Sequence, residues 1–367
     1  MTALLIVALH GRSLAQSARR GGHEAHVVDI YNDSDTRAYA ARSVKAAQND
    51  GVFDMQALPA VVREFCPPPM ALLVGSGFEA NPALLARLAR GRALYGNSAR
   101  TVSGLKDAAS FFPLLDSLDI PHPEISLAPP ARLQGWLAKE VGGHGGFHIH
   151  SAARSAGATA LVYYQRLRPG RSCSALFLAN GERARIVGFN EQFAVNLRGA
   201  PYCYAGAINR TPMLHGVRCE IARKLDRLVA ASGLVGLNSL DFITAGEEYW
   251  VLEVNPRPSA TLDLYDADFP TGLVDWHLRA CLGQLPESSP VGKVRGHRVI
   301  YAPRGLRLNL RMRFPEWCSD VPDADNDFAP GMPVCTVHAE GDTAADVSRL
   351  LDQRRAGIEK SIFERAA

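Results

Sequence analysis

The chain has 367 residues, 47% hydrophobic and 21% charged, with a formal net charge of +3. That composition suits a soluble globular protein of two or three domains and argues against extensive disorder. The near-neutral balance leaves no electrostatic footprint for a nucleic-acid partner. The seven cysteines are odd in number and include no Cys-x-x-Cys pair. They read as reduced thiols, not as a zinc site or disulfide framework. The N-terminal run ALLIVAL is short and lacks a basic leader, so it reads as a buried first strand and not as a signal peptide or membrane helix. A cytoplasmic protein without a membrane partner is the expectation.

Residues 1–95 read as an α/β unit. LLIVALHGRS is a strand entering a turn, SLAQSARRGG a helix ended by glycines, and HEAHVVDIY the next strand. ALLVGSGFE opens into a glycine-rich turn, and Asn81-Pro82 starts a helix through Arg90. Such alternation implies a parallel sheet. GSGFE lacks the third glycine of a dinucleotide fingerprint, so it reads as a sheet-edge loop near an active site. Residues 96–120 predict a connection and then an amphipathic helix with Lys106 and Asp107 near its start. A strand ending at Lys139, the loop GGHGG and the strand FHIH come next. Two more strands flank Arg168-Pro169-Gly170, RARIVGFNEQ continues the antiparallel theme, and 211–233 is a long helix ended by Gly233. Beyond residue 290 the chain reads as irregular, with a half-solvated strand over 304–313 and a closing helix.

The stretch EYWVLEVNPRPS, residues 248–259, carries the most chemistry. Strand residues two apart share a face, so Glu253 and Asn255 present a carboxylate and an amide oxygen together. A hairpin turning at Ala245-Gly246 sets Asp241 beside Glu253. Three oxygen ligands and Arg257 then converge, a set suited to Mg²⁺ and a triphosphate.

The order Lys106, Lys139-x-x-GGHGG, YYQRLRPG, Asp241 and EVNPR resembles the ATP-grasp superfamily of carboxylate–amine ligases. The resemblance covers roughly residues 1–290 and is strongest over 236–263. It implies α/β and α+β architecture: a Rossmann-like N-terminal domain (1–95), a small lid subdomain (96–164), a large subdomain with the metal site (165–290) and a C-terminal extension (291–367). It also implies ATP and two Mg²⁺ ions, with Mn²⁺ as a substitute. Lys106 and Lys139 would hold phosphates. Gly142, Gly143, Gly145 and Gly146 would form a flap over the triphosphate. Tyr164, Gln165, Arg166 and Leu167 would form the hinge that meets adenine, where an acidic side chain is usual and this chain has Gln165 or Arg166. Asp241, Glu253 and Asn255 would be the metal ligands, and Arg257 would act at the γ-phosphate or acyl phosphate. Arg12, Arg198 and Arg210 are candidates for a substrate carboxylate, and Ser259, Thr261 and Asp263 for an amine pocket.

GSGFE and LEVNPRPSATLD together resemble a subgroup near the tyramine–glutamate ligases of methanofuran-type one-carbon cofactor biosynthesis. The partners implied are a small-molecule carboxylate, glutamate in that subgroup, and an amine. A homo-oligomer is compatible with the chain. A carboxylase, a dipeptide ligase or a non-catalytic nucleotide-binding module on the same fold stays open at this point.

Overall fold

The structure, a computed structural model, describes residues 1–49, 51–154, 161–308, 313–323 and 326–363. Strands β1 (Ala3–Val7), β2 (Glu24–Asp29) and β3 (Arg42–Lys45) alternate with helices α1 (Arg12–Arg20) and α2 (Ser34–Tyr39). A two-stranded ribbon of β4 (Gln48–Asn49) and β5 (Val52–Phe53) leads into α3 (Leu58–Phe65), β6 (Ala71–Val74), α4 (Pro82–Leu88) and β7 (Leu94–Tyr95). Five strands, joined by four parallel pairings, form a sheet in the order β3-β2-β1-β6-β7. Its central strand reads as an unbroken apolar run because both faces are covered. Leu4 and Ile6 join one core with α1, whereas Leu5 and Val7 join another with α3 and α4.

The stretch 96–120 forms two helices where the sequence suggested one. α5 (Ala99–Lys106) is capped by Ser98, and α6 (Ala108–Ser117) begins at Asp107, whose side chain accepts from the Ala109 N–H. A capping aspartate competes with helix continuation, which explains the break. Lys106 thus sits at a helix end.

A small antiparallel sheet follows, made of β8 (Ile125–Ser126), β9 (Trp136–Glu140), β10 (Ile149–Ser151) and β11 (Val162–Arg166), in the order β10-β9-β11-β8. The large sheet is built from β12 (Arg171–Asn180), β13 (Ala184–Leu197), β14 (Ala200–Asn209), β15 (Val235–Ala245) and β16 (Glu248–Asn255). Period-two alternation along β12 supplies two cores. Cys173, Ala175, Phe177 and Ala179 pack under α7 (His215–Ser232), while Leu176 and Leu178 pack under α8 (Gly272–Cys281).

α8 joins the large sheet to the N-terminal unit. Its buried His277 accepts the Leu237 N–H at Nδ1 (2.8 Å), which leaves Nε2–H to donate to the Tyr95 carbonyl (3.1 Å).

The segment after 290 departs from its irregular reading. β17 (Val294–Tyr301), β19 (Cys318–Ser319) and β21 (Pro333–Gly341) extend the large sheet to eight strands, ordered β16-β15-β12-β13-β14-β17-β21-β19. α9 (Ala344–Phe363) covers this end through Val347, Leu351 and Ile358. The charge alternation over 304–313 yields only a short pairing of β18 (Leu306–Arg307) with β20 (Asp327–Phe328), and 309–312 lie outside the described residues. The strands escaped sequence reading because VRGHRVIY and PVCTVHAEG mix charge, glycine and apolar residues without clean alternation.

Candidate active site

The β15–β16 hairpin turns at Gly246, whose φ of 63° favours glycine. Asp241 lies directly opposite Glu253, and Ser239 opposite Asn255. The register then slips: Phe242 faces Val251, so Leu252 is an extra residue. This bulge lets both Leu252 and Glu253 line the same cavity, which regular alternation would forbid. Asn255 Nδ2 donates to Asp241 Oδ2 (3.0 Å), and Gln192 Nε2 donates to Asp241 Oδ1 (3.3 Å).

Lys106, from the end of α5, donates to Glu253 Oε2 (2.9 Å) and Asn255 Oδ1 (3.1 Å). Burial pushes the Glu253 carboxyl up, but the charges of Lys106, then Lys139 and His148, hold it below the usual carboxylate range. Asp241 moves the other way, raised by burial and by the charge of Glu253. Lys139 sits on β9 at only 4% exposure. Burial lowers its ammonium pKa, opposed by Glu253 and Asp241 and assisted by Lys106. Lys139 makes no direct ion pair among the described residues, and its charge acts on Glu253 and Asp241 only through space.

Arg257 brings in a residue that sequence reading passed over. Its Nε donates to Glu79 Oε1 (2.7 Å), and its Nη2 reaches Asn255 Oδ1 (3.5 Å). The other Glu79 oxygen accepts the Gly77 and Phe78 N–H groups (2.8 and 2.9 Å). Burial would raise the Glu79 carboxyl, yet Arg257, then Lys106, and these hydrogen bonds bring it down to about 2. The signal was present in GSGFE as an acidic residue after a glycine turn, but its partner lies 178 residues away.

The GGHGG loop is seated against the rest of the site. The Gly145 carbonyl accepts the Tyr204 N–H (2.9 Å). A Cβ at Gly142 would fall 2.4 Å from Ala80 Cα, and one at Gly146 1.9 Å from the Tyr202 carbonyl oxygen. Gly142, Gly145 and Gly146 also have positive φ values of 75°, 65° and 82°. A Cβ at Gly143 would strike the His148 ring at 2.1 Å.

His144 and His148 are both half-buried, and burial lowers both, His148 to about 4. His148 lines the cavity with Lys106 and Glu253, and His144 lies within electrostatic reach of Glu79 and Arg257. Sequence reading gave His144 no role and did not mention His148, because their neighbourhood is set by loop docking.

The hinge residues divide between two faces. Tyr164 is buried in a separate cluster with Trp136 and Ala138, and Arg166 stacks over Trp136 (5.6 Å) on that same outer face. Tyr163 and Gln165 take the inner face with Lys139. Leu167 is 47% exposed, and its N–H donates to the Gly135 carbonyl (2.9 Å).

The arginines considered for a substrate carboxylate are differently disposed. Arg12 is buried and fully engaged with Asp263 (2.9 and 2.5 Å), Asp320 (3.0 Å), Gln16 (3.1 Å) and Ser319 (3.1 Å). Arg210 reaches Asp268 (3.4 Å), and Arg198 occupies a positive-φ position (51°) beside Gly331. Asp263 is therefore spent on Arg12, whereas Ser259 and Thr261 hydrogen-bond to each other (2.8 Å).

The cavity beside these groups is lined by the apolar Leu105, Phe111, Phe112, Tyr163 and Leu252 and by the polar or charged Lys106, Glu140, His148 and Glu253, with Gly142 and Gly143 of the loop. No group of three or more His, Cys, Asp or Glu side chains is placed to hold a metal ion among the described residues. The candidate set is instead two carboxylates and an amide, and its hard oxygen chemistry fits Mg²⁺. No helix among the described residues is long and apolar enough to cross a membrane.

Comparison with known proteins identifies the domain and fold that carry these residues. Residues 100–261 match the ATP-grasp domain family. No curated protein matches the chain in sequence. Among solved structures, an L-amino acid ligase from Bacillus licheniformis is 14% identical at a TM-score of 0.71, covering 97% of each chain. N5-carboxyaminoimidazole synthetase from Staphylococcus aureus, complexed with ADP, is 14% identical at 0.71, covering 96% of this chain and 97% of that one. The biotin carboxylase domain of Hydrogenobacter thermophilus 2-oxoglutarate carboxylase, in complex with MgADP and bicarbonate, is 12% identical at 0.73, covering 95% and 89%. The chain carries an ATP-grasp domain over residues 100–261, and its overall architecture is the ATP-grasp fold.

Proposed function

We propose that this protein is an ATP-dependent, ADP-forming ligase that joins a carboxylate to an amine through an acyl phosphate. The observation that carries the reading is the meeting of Asp241, Glu253 and Asn255 with Lys106, Lys139 and Arg257 under a seated glycine loop. Asp241, Glu253 and Asn255 are the residues that would hold Mg²⁺, and the ion, when bound, supplies positive charge against phosphate oxygens.

The chain's own residues account for the rest. Lys139, buried and without a direct ion pair among the described residues, is placed for a phosphate oxygen. Lys106 can exchange its Glu253 contact for a phosphate. Arg257, held by Glu79, offers the remaining guanidinium donors to the transferring phosphoryl group. The substrate carboxylate attacks the γ-phosphorus and the bond to the ADP oxygen breaks. The amine then attacks the acyl carbon, phosphate leaves, and the amine gives up a proton. No protein nucleophile is required. The Gly142–Gly146 loop keeps water from the acyl phosphate.

At finer grain, the resemblance of GSGFE and LEVNPRPSATLD to the methanofuran subgroup favours the γ-carboxyl of glutamate as acyl donor, with tyramine or tyrosine as amine. The carboxylases among the structural neighbours favour a second reading, in which bicarbonate is the carboxylate. The deciding experiment is an ADP-release screen of carboxylates against amines, including glutamate with tyramine or tyrosine, and bicarbonate. ADP release that needs an amino-acid carboxylate and an amine together, with an amide as product, supports the ligase. ADP release driven by bicarbonate alone replaces it with the carboxylase, and none with any pair removes the enzymatic reading.

A further inference from the structure

A second cavity lies in the C-terminal part of the chain, between α9 and the segment leading into β19. Its volume is about 390 Å³, within the range that holds small organic ligands. Leu350, Arg354, Gly357 and Ile358 line it from α9, and Arg313 and Trp317 from the other side. The α9 positions recur at helical spacing, so they form one stripe along the helix. None of these residues lines the cavity beside Glu253. Two arginines face the second cavity, and no Asp or Glu side chain lines it.

Arg354 differs from its neighbours on α9. Arg349 is bound to Asp346 (2.6 Å) and Arg355 to Glu359 (3.4 Å). Among the described residues neither Arg354 nor Arg313 makes an ion pair. The guanidinium carbon of Arg354 lies 4.9 Å from the centre of the Trp317 ring, and Nη1 donates to the His338 carbonyl. A guanidinium over a ring keeps its in-plane donors for an anion, and a carboxylate matches their fork. Burial lowers the Arg354 pKa, and of its neighbours only the Cys318 thiol opposes the shift.

Gly357 is a second, independent sign. It stands in the interior of a 20-residue helix, where glycine costs about 1 kcal/mol relative to alanine. A Cβ there would meet nothing within 4 Å. Neither a turn nor a close neighbour requires glycine at this position. What it does is keep the cavity open, because a longer side chain at 357 would stand inside it.

Two guanidiniums alone would suit any anion. A bare phosphate would leave Trp317, Leu350 and Ile358 facing water, whereas an organic acid covers them. Tryptophan and arginine both pair well with flat rings. We propose that this cavity is a binding site for a small aromatic carboxylate, whose charge meets Arg354 and Arg313 and whose ring packs on Trp317, Leu350 and Ile358. The site stands apart from the proposed ligase chemistry.

The test is calorimetry on the full chain with 2-naphthoate, its neutral counterpart 2-naphthylmethanol, octanoate and inorganic phosphate. The expected result is saturable 2-naphthoate binding with Kd below about 1 mM. The alcohol, octanoate and phosphate should each bind about tenfold more weakly or worse. Arg354→Met should weaken 2-naphthoate by about tenfold or more. Gly357→Leu should remove binding while keeping or raising the thermal midpoint, because leucine is the better helix former. That variant separates a filled cavity from a poorly folded chain if Arg354→Met is unstable. Saturating Mg–ATP should leave the 2-naphthoate affinity within about twofold.

No saturable 2-naphthoate binding overturns the proposal, as does undiminished binding in Gly357→Leu or displacement by Mg–ATP. Equal binding of the alcohol removes the role of the arginines, and tighter binding of octanoate or phosphate removes the aromatic assignment. All of these outcomes are independent of whether any carboxylate–amine pair releases ADP.

Discussion

Two buried ionic networks lie at the junctions of this molecule, and they are built on opposite plans. Around Arg12 the charges are saturated: one guanidinium meets Asp263 and Asp320, with Ser319 and Gln16 filling the remaining donors. That network ties α1, the segment after β16 and β19 together. Around Glu253 the balance is left open. Lys139 has no ion-pair partner among the described residues, Asp241 is pushed up by its neighbour, and Lys106 divides itself between two acceptors. A saturated buried network acts as a clamp, because every charge already has its best partner. An open one is suited to a charged ligand, since a ligand can complete it. The contrast separates Arg12 from Lys139, which look equally eligible as cationic residues in the sequence.

Substitutions can break the comparison from either side. The largest effect is expected at Glu253→Gln, which keeps the shape and removes a ligand charge. ADP formation should fall by about a thousandfold or more with the far-ultraviolet circular dichroism unchanged. Turnover near wild type would remove Glu253 from the metal set. Arg12→Met should act on the clamp, lowering unfolding free energy by about 3–5 kcal/mol through the carboxylates left unpaired. Denaturant titration measures this, and a loss under 1 kcal/mol would show that Arg12 holds nothing together.

Lys139→Ala should do the reverse. It should raise the ATP concentration for half-maximal rate about a hundredfold and lower stability far less than Arg12→Met, because Lys139 has no direct ion-pair partner among the described residues. Unchanged nucleotide affinity would dissolve the distinction between the two networks.

A smaller, pH-dependent effect is expected at Glu79. Its folded pKa of about 2 lies below the ordinary 4.5, so its contribution is full above 4.5 and is lost as pH falls toward 2. The difference corresponds to roughly 3 kcal/mol. Glu79→Gln should therefore be less stable than wild type at neutral pH, with the gap closing in acid. A gap independent of pH would mean that packing, not the Arg257 pair, accounts for the loss.

The legible part of the molecule is the part set by neighbours in sequence. The β15–β16 hairpin followed from apolar runs around Ala245-Gly246, and with it the pairing of Asp241 with Glu253. The same holds for the parallel N-terminal unit and for the helix ended by Gly233, where φ is 68°. The C-terminal strands escaped because their alternation is broken by Gly296, His297 and His338. Those residues are tolerated only because β14, β17 and β21 lie side by side.

The sequence by itself determined the order of ligand-bearing residues, the turns that present them and the glycines that let a loop approach closely. These are consequences of local backbone preference and side-chain periodicity, which a few residues suffice to set. Only the tertiary structure decided the partners: Glu79 with Arg257, Arg12 with Asp263 and Asp320, and His144 and His148 with Glu253 on β16. It also decided the slip at Leu252 that turns two consecutive residues into one cavity, and the meeting of Arg354 with Trp317. Electrostatic commitment depends on which charges are buried together, and residues far apart in the chain are buried together only when the whole fold closes.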